Sequence, residues 1–328
     1  MGVECSVIVL TYNSKFSDIV LTLESILWQV NCEYEIIVTD DGSKVKYIEE
    51  IKAYFKEKKF SRFQIVENIQ NKGTVKNLYS GLVKANGKYI KALGAGDLLY
   101  SKNTLKNLCS YMNENKVVMV FGTLVGYYEE KGNLKYKTIP SPGDIFSYKN
   151  NNEDKIKENL IVFGKCISGA SMFFRREELR QLISEIQGIV IYCEDWIQVL
   201  LVLKNYKIGF IEENVVWYEC NSGISNSTND VMTDKMKKDH DKFFDYIEEV
   251  YSDNPYIIRS KRKRALNKIP YTFFRGVLKF MLEPRTFLIS YETRKQLKAG
   301  AYSYKEGKGF LDDLGFLKSA NKIESIIK

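Results

Sequence analysis

Histidine and paired cysteines are scarce in this sequence. One histidine occurs in 328 residues, and the six cysteines are scattered with no C-x-x-C pair. Structural zinc sites need cysteine and histidine ligands at short spacings, so the composition disfavours such a site. Because unpaired thiols persist in reducing compartments, we expect reduced cysteines in a cytoplasmic protein.

Long apolar runs are also missing. No stretch of about 18 apolar residues, the length that predicts a membrane-spanning helix, occurs in the chain. The first residues, M-G-V-E-C-S-V-I-V-L, read as a strand and lack the basic region and cleavage site of a secretory leader. Hydrophobic residues nevertheless make up 45% of the chain, which is enough to supply a sizeable core.

The G-x-G-x-x-G motif is absent after the first expected strand. That motif holds the pyrophosphate of dinucleotide cofactors, so its absence disfavours a hydride-transfer enzyme.

Strand-like and helix-like segments alternate along the chain, which predicts an α/β fold with a mostly parallel sheet covered by helices on both faces. A polar excursion or lid is expected at 129–158, a polar loop at 221–230, and a helical part from about 233. The expected strands are 3–10, 34–39, 63–67, the Y-I-K-A-L run, 117–127, 168–175, I-G-F-I and V-V-W-Y. The expected helices are 16–30, 44–59, 74–86 with Asn86-Gly87 as its C-cap, 102–115 and 196–205.

Two of the expected strands end in acidic residues. The second strand is followed by D-D-G-S, which contains Asp40 and Asp41, and K-A-L-G-A-G-D ends in Asp97 behind two glycines. Ligands of parallel α/β sheets bind at the carboxyl ends of the strands. We therefore expect both acidic ends to open into one crevice.

The order of the motifs resembles the family 2 inverting glycosyltransferases with the GT-A fold. S-V-I-V-L-T-Y-N is followed by V-T-D-D-G-S, then by N-K-G-x₃-N-x₃-G-L-x-x-A-x-G-K-Y-I, an acidic strand end and E-D. The resemblance covers about residues 4–225. It implies a GT-A, Rossmann-like fold and transfer of a sugar from a nucleotide-diphosphate donor, most simply a UDP-sugar.

The resemblance assigns the donor base to the ends of the first two strands. Thr11 and Tyr12 follow the first strand, and the Tyr12 ring is expected to stack on a pyrimidine; a core tyrosine is the alternative. Asp41 is expected to accept the N3–H of uracil, with Asp40 beside it. The structural alternative is capping of the following helix by Asp40 and Ser43.

The donor diphosphate is expected near the third helix and the acidic strand end. Lys76 stands where the family often has arginine, so Lys72 and Lys76 are candidates to meet the diphosphate; solvated lysines are the alternative. Gly96 is expected to let the backbone approach ribose or phosphate closely, because glycine carries no side chain.

A divalent cation, Mn²⁺ or Mg²⁺, is the expected cofactor, because it would neutralise the departing diphosphate. The two acidic positions of the family's D-x-D motif are occupied by Gly94 and Gly96. Asp97 comes next and is the expected lone metal ligand, since phosphates and water complete the shell of a hard cation. A metal-free site in which lysines share the charge, and a simple turn, are the alternatives.

The E-D-W segment is the second expected centre. By resemblance Asp195 is the base that takes the proton of the acceptor hydroxyl, Glu194 tunes or orients it, and Trp196 stacks on the acceptor sugar. The alternative is a helix start with acids placed favourably toward the helix dipole. The family's histidine or arginine after V-V-W-Y is absent here, and His240 is expected to be a surface helix residue.

The formal net charge of +8 is concentrated near the C-terminus. Residues 255–328 carry 17 Lys and Arg against 6 Asp and Glu. Phe273, Val277 and Met281 share a helical face beside Phe274 and Leu278, with Arg275 and Lys279 flanking them. Such a basic amphipathic pattern suits peripheral contact with an anionic membrane, and packing against the catalytic domain or in a homo-oligomer is the alternative. Nucleic-acid binding is disfavoured because no recognition motif accompanies K-R-K-R.

We therefore expect two parts, a GT-A nucleotide-sugar-binding and catalytic domain at 1–230 and a helical basic region at 231–328. The expected activity is an inverting glycosyltransferase of bacterial surface-polysaccharide or capsule synthesis, acting on a glycan that a lipid carrier could hold. The alternative is a non-catalytic nucleotide- or glycan-binding partner of another transferase, because the D-x-D acids are missing.

Overall fold

A computed structural model of the chain describes residues 2–131, 133–221, 230–304 and 309–313. The strands are β1 (Cys5–Thr11), β2 (Tyr34–Asp40), β3 (Phe63–Glu67), β4 (Tyr89–Gly94), β5 (Leu98–Leu99), β6 (Met119–Glu130), β7 (Asn133–Ile139), β8 (Met172–Arg175) and β9 (Ile208–Glu219). The helices of the first two thirds are α1 (Phe16–Leu27), α2 (Ile48–Glu57), α3 (Thr74–Leu82), α4 (Thr104–Glu114), α5 (Phe146–Lys149), α6 (Glu153–Lys157), α7 (Arg176–Ile186) and α8 (Ile197–Leu203). The later helices are α9 (Asp230–Val250), α10 (Pro255–Asn267), α11 (Thr272–Leu282), α12 (Arg285–Lys298) and α13 (Phe310–Asp313).

The strands form one sheet in the order β3-β2-β1-β4-β8-β6-β9-β5, with β7 paired to β6. β1, β2, β3 and β4 pair in parallel. β6 runs in the same direction as β4 because both are antiparallel to β8, and β9 is parallel to β6. Of the described strands, only β5, β7 and β8 run in the opposite direction. The expected mixed α/β fold with a mostly parallel sheet is confirmed.

Alternating side chains of the central strands supply two cores. Ile8 and Ile37 belong to one buried cluster, whereas Val7 and Val9 belong to the other. Because helices cover both faces, β1 and β2 read as nearly continuous apolar runs, as buried parallel strands do.

The strand register brings the functional segments to one edge of the sheet. Thr11 at the end of β1 lies opposite Asp40 at the end of β2, and Leu10 lies opposite Gly94 at the end of β4. Any group bound at this edge is therefore reached from three neighbouring strands.

Several element boundaries differ from the sequence-based expectation. α3 ends at Leu82, not at Asn86, because Asn86 donates to Glu35 and the N–H of Gly87 donates to the hydroxyl of Ser6. I-G-F-I and V-V-W-Y form the single strand β9, and the polar stretch at 129–158 contains β7 and two short helices. α7 had not been anticipated.

The helical C-terminal part begins with α9, as expected. Phe243 and Ile247 of α9 and Ile257 of α10 pack in the same buried cluster as the sheet residues Ile8 and Ile37. The boundary at 230 stays a prediction, and most of the polar loop expected at 221–230 lies outside the described residues. Among the helices that the structure describes, none combines the length and apolar character needed to cross a bilayer.

Candidate active site

A cavity of about 1100 Å³ opens at the carboxyl edge of the sheet. Its lining combines strand ends, the loop before α3, the end of β7 and the turns around 166–170 and 192–195. The ionisable or aromatic side chains in this lining include Tyr12, Asp18, Asp41, Asp97, Tyr192, Glu194, Asp195 and Glu219. Acids that are far apart in the sequence thus face one volume.

Asp40 lies behind the cavity and holds a turn. One of its carboxylate oxygens accepts hydrogen bonds from the hydroxyls of Ser43 at 2.5 Å and Thr11 at 3.2 Å, and the other accepts the N–H of Ser43 at 2.9 Å. The side chain is buried and is not among the described residues that line the cavity. Asp40 therefore supports the turn that precedes α2, but it does not cap that helix, whose N-cap is Tyr47.

Asp41 faces the cavity and fixes the loop before α3. Its Oδ1 accepts hydrogen bonds from the Asn68 amide at 3.1 Å and the N–H of Lys72 at 3.0 Å, and its Oδ2 accepts the N–H of Gly73 at 2.8 Å. A carboxylate oxygen has two lone pairs, so Oδ2 keeps one for a ligand. The two adjacent acids therefore differ: Asp41 faces the cavity, and Asp40 supports the turn behind it.

Of the other residues predicted to bind the donor, two line the cavity. Thr11 is buried, and Tyr12 presents a ring that is 48% exposed at the cavity. Lys76 is exposed on α3 and, among the described residues, is outside the lining, although its neighbour Asn77 belongs to it. Their roles stay predictions.

The G-A-G-D turn follows β4 and is held from three sides. Gly96 has a φ of +101°, its N–H donates to the Thr22 hydroxyl at 2.9 Å, and its carbonyl accepts a hydrogen bond from the Tyr127 hydroxyl. Gly96 is therefore engaged within the protein and is not among the described lining residues. Gly94 and Asp97 do line the cavity, and the N–H of Asp97 donates to the carbonyl of Gly94 at 3.0 Å.

A buried lysine accompanies Asp97. Lys91 on β4 has no exposed surface, and its Nζ donates to the carbonyls of Ala170 and, at 3.2 Å, Met172. Burial raises the pKa of Asp97 to about 7, opposed by the N–H of Glu219 and the Lys91 ammonium. Burial lowers the pKa of Lys91 to about 7, opposed by the Asp97 carboxylate. Strand β4 thus carries a buried counter-charge for the acid in the turn that follows it.

Glu219 is a cavity residue that sequence reasoning missed. It ends β9, its N–H donates to Oδ1 of Asp97 at 3.0 Å, and its carboxylate accepts the N–H of Asn221 at 2.7 Å. A Cβ at Gly96 would lie 3.4 Å from its Cβ and Cγ. The sequence did contain a signal for Glu219, because the strand V-V-W-Y ends in an acid, as the strands before Asp41 and Asp97 do.

Asp18 on α1 also lines the cavity. Burial raises its pKa, and the Glu219 charge adds to the rise.

The donor end of the cavity could hold a divalent cation only if a bound diphosphate supplied some of the metal ligands. Among the described residues, the one group of at least three Cys, His, Asp or Glu ligand atoms within 4.8 Å of one another is Glu4, Cys32 and Cys109, near the start of β1 and away from the cavity. Asp97 and Glu219 can supply one or two carboxylate oxygens. Because hard cations accept phosphate oxygens and waters as remaining ligands, that donor set is compatible with Mg²⁺ or Mn²⁺ on a diphosphate.

Glu194 and Asp195 lie in a short helical turn, Glu194–Trp196, on the other side of the cavity. Burial raises the pKa of both carboxyl groups, and the Asp195 charge raises that of Glu194 further. The turn Gly169–Ser171 packs against them: a Cβ at Gly169 would lie 3.2 Å from Oε1 of Glu194 and 3.4 Å from the Cβ of Asp195. Acids with raised pKa values in a cleft are suited to proton transfer.

Trp196 is turned away from the cavity. Its ring packs on His240 and Phe243 of α9, with ring centroids 5.3 and 5.7 Å apart, and it is not among the described lining residues. The Trp196 ring thus packs the turn before α8 against α9, and the His240 ring contacts it. Tyr192 is the aromatic side chain of this segment that does line the cavity. The acceptor role of Trp196 stays a prediction.

Comparison with known proteins identifies the family. The sequence pattern described as "Glycosyl transferase family 2" matches residues 6–180, more than half of the 328 residues. The chain is similar to an uncharacterized glycosyltransferase of Methanocaldococcus jannaschii, with 27% identity over 214 residues that cover 65% of this chain and 69% of that protein. It is also similar to an uncharacterized glycosyltransferase of Haemophilus influenzae, with 24% identity over 307 residues that cover 87% and 90% of the two chains.

A solved structure shares the fold. S. aureus TarS 1-349 aligns with a TM-score of 0.51 over 94% of this chain and 98% of that one, at 15% sequence identity.

Proposed function

This chain belongs to glycosyl transferase family 2 and is a glycosyltransferase with the GT-A fold, and from that premise we propose that it moves a sugar from a nucleotide-diphosphate donor to a glycan hydroxyl with inversion at the anomeric carbon. The observation that carries the proposal is the arrangement of acids in one cavity. Asp41 and Asp97 line it from the ends of the parallel strands, and Glu194 and Asp195 line it from the opposing turn.

The base of the donor is proposed to bind between Tyr12 and Asp41. The half-exposed Tyr12 ring offers an apolar face for stacking, and the free lone pair on Oδ2 of Asp41 can accept an N–H. Uracil presents such an N–H at N3, so a UDP-sugar is the donor that we propose.

The diphosphate is proposed to lie over the G-A-G-D turn. Members of this family commonly use divalent cations, and Asp97, with Glu219 beside it, would hold the ion here. When bound, the cation supplies positive charge to the departing diphosphate. Lys91 acts from beneath the turn, where its ammonium opposes the rise in the pKa of Asp97 and thus favours the carboxylate form.

Asp195 is proposed as the general base. The acceptor oxygen forms a bond to the anomeric carbon while the bond from that carbon to the diphosphate oxygen breaks, and the hydroxyl proton passes to the Asp195 carboxylate. A pKa raised by burial makes this carboxylate a stronger base than an exposed aspartate. Glu194 is proposed to orient it, and the Asp195 charge keeps Glu194 protonated when Asp195 ionises by raising the pKa of Glu194.

The test is turnover of a panel of UDP-sugars with Mn²⁺ or Mg²⁺, comparing the wild type with Asp195→Asn. Loss of a general base lowers kcat by about 100-fold or more, and NMR of the first product should show an inverted anomeric configuration. Glu185→Gln is the matched control, because Glu185 contacts Lys204 and Tyr246 and is not among the described lining residues. Full activity in a folded Asp195→Asn variant would exclude Asp195 as the base, and a retained configuration would exclude inversion.

Calorimetry with UDP separates donor choice from catalysis. We expect UDP to bind more tightly with Mn²⁺ than without it. UDP binding with no turnover of any donor would instead favour the non-catalytic alternative. The acceptor, a glycan of bacterial surface-polysaccharide or capsule synthesis, stays a prediction from the family resemblance.

A further inference from the structure

Exposed apolar side chains are concentrated in one part of the surface. Of the nineteen large hydrophobic side chains that are exposed in the described part of the chain, eleven lie between Tyr271 and Leu297. Scattered exposed hydrophobic residues are ordinary, whereas a contiguous cluster marks an interaction surface. The cluster therefore needs an occupant.

Helix α11 contributes the first half of this surface. None of its residues is buried. Five apolar residues fall on one side at helical spacing and are between 42% and 77% exposed, namely Phe273, Phe274, Val277, Phe280 and Met281. Phe280 also packs on Phe287 of the next helix, with ring centroids 6.1 Å apart, so the two helices present one continuous surface.

Helix α12 contributes the second half, because it is mounted with its polar side inward. Its contacts with the body include those of Thr293, whose hydroxyl donates to the carbonyl of Gly143 at 2.6 Å, and of Gln296, which is 5% exposed. Gln296 accepts the N–H of Ile145 at 2.8 Å. The opposite side of the helix carries Phe287, Leu288 and Tyr291, each more than half exposed. We call these three residues and the five of α11 the apolar face.

The charges around the apolar face are of one sign. The two acids between Thr272 and Lys298 are both paired with cations: Glu283 is 1% exposed and pairs with Arg259 and Arg262, and Glu292 pairs with Arg285 of its own helix and with Lys165. Three basic residues share the outward side of α12 with its apolar residues and are exposed, namely Arg294, Lys295 and Lys298.

We propose that the apolar face docks on an anionic lipid bilayer, with aromatic rings in the headgroup region and the three basic residues on lipid phosphates. An amphipathic surface of this kind binds such membranes because its apolar rings are buried among the lipids and its cations are attracted to the anionic headgroups. A second copy of this chain would instead bring the same cations toward each other across a two-fold axis. The charge pattern therefore favours lipid over a self-association interface.

The docked face is coupled to the cavity through a short segment. Pro140 and Ser141 line the cavity, and Gly143 and Ile145, which follow directly, hold α12 through Thr293 and Gln296. If the proposed transferase function holds, this places the membrane next to one wall of the active site, as an acceptor carried on a lipid would require. Bilayer docking itself does not depend on that function.

Flotation of the full chain with lipid vesicles tests the proposal directly. Wild type should bind vesicles of phosphatidylglycerol and phosphatidylcholine, and binding should weaken as salt is raised. Replacing Phe273, Phe280 and Phe287 by Ser should abolish binding, since each buried ring adds a factor of about ten or more to partitioning. Arg294→Gln, Lys295→Gln and Lys298→Gln together should weaken binding about 100-fold, at about fivefold for each charge near the surface.

Matched controls separate lipid docking from other outcomes. Val250→Ser removes an exposed apolar residue elsewhere, and Lys56→Gln, Lys106→Gln and Lys116→Gln remove three exposed charges elsewhere; both should bind as wild type. Failure of the wild type to bind anionic vesicles at low salt would overturn the proposal. So would a wild-type dimer in light scattering that the Phe273→Ser, Phe280→Ser, Phe287→Ser variant converts to a monomer without any change in vesicle binding. Soluble-acceptor activity, if present, should survive in that variant, so loss of docking and loss of catalysis are distinguishable.

Discussion

Oδ2 of Asp41 accepts the N–H of Gly73 at 2.8 Å, so the acid that faces the cavity from β2 also holds the loop before α3. Asp41→Asn replaces one carboxylate oxygen with an NH₂ group. Because both oxygens now accept hydrogen bonds, this NH₂ group would point at an N–H donor. We expect the free energy of unfolding to fall by about 1–3 kcal/mol and the affinity for UDP to fall as well. Urea unfolding and calorimetry measure the two effects.

Asp40→Asn is the control for this prediction. It disturbs the hydrogen bonds to Ser43 and Thr11 behind the cavity, so a comparable loss of stability is expected. UDP affinity of the folded variant should stay near that of the wild type. If Asp40→Asn weakened UDP binding more than Asp41→Asn, the division of roles between the two acids would be wrong.

The pH dependence of the rate follows from the environment of Asp195. Burial raises its pKa, and a general base acts only when ionised, so kcat/KM should rise with pH up to a raised midpoint. We expect that midpoint well above pH 4, near which an unperturbed carboxyl group titrates. Initial rates between pH 4 and 9 measure it.

Two variants assign this titration. Glu194→Gln should leave the acid limb near its wild-type pH, because the Asp195 charge raises the pKa of Glu194 and Glu194 is still protonated when Asp195 ionises. Asp97→Asn should leave the limb in place. A limb that moved only with Asp97→Asn would assign the titration to the donor end of the cavity instead.

The sheet could be predicted because buried parallel strands are locally apolar. C-S-V-I-V-L and Y-E-I-I-V-T become β1 and β2 with nearly every residue buried, so the acids that follow them had to reach the carboxyl edge. The end of α3 was misplaced because Asn86 and Gly87 have partners in Glu35 and Ser6, which are distant in sequence.

Side-chain direction was harder to predict than position. Trp196 and Asp195 are neighbours, yet only Asp195 faces the cavity, because packing on α9 decides the direction of the indole ring. Lys91 is visible in the sequence as a charge within a strand, but its carbonyl partners, Ala170 in a turn and Met172 at the start of β8, lie about 80 residues away in the sequence. Such non-local contacts leave no local pattern.

The stability of the protein should depend on pH through Asp97. Its pKa is about 7 in the folded state, against an ordinary value of 3.8, so between these values the folded state binds a proton that the unfolded state has released. The free energy of unfolding therefore falls as pH rises from about 4 to about 7. Relative to Asp97→Asn, the wild type should lose on the order of 3 kcal/mol over this window, measured by urea unfolding at pH 4, 5, 6, 7 and 8.

Lys91 gives the opposite sign in the adjoining window. Its pKa is lowered to about 7, against an ordinary value of 10.5, so above pH 7 the unfolded state binds the extra proton and stability rises with pH. Lys91→Met should remove that alkaline rise and extend the Asp97 window upward, because the ammonium that opposes the rise in the pKa of Asp97 is gone. A constant difference between wild type and Asp97→Asn from pH 4 to 8 would mean that Asp97 titrates as an exposed acid.

Gly169 offers a test of how tightly the proposed base is positioned. A Cβ there would lie 3.2 Å from Oε1 of Glu194, so that carboxylate must shift by a few tenths of an ångström, and it would contact the Cβ of Asp195 at 3.4 Å. Because small displacements of catalytic groups lower rates steeply, we expect Gly169→Ala to lower kcat about tenfold. Steady-state kinetics and thermal unfolding, run together, measure the change in rate against any change in stability.

Gly188→Ala is the matched control, since a Cβ at Gly188 would meet nothing within 4 Å and its backbone needs no positive φ. It should leave both kcat and the midpoint of thermal unfolding unchanged. Gly169→Ala should likewise unfold near the wild-type temperature, so that its loss is confined to the rate and to the pH of the acid limb. Wild-type kinetics in Gly169→Ala would show that the turn Gly169–Ser171 does not position Glu194 and Asp195 for catalysis.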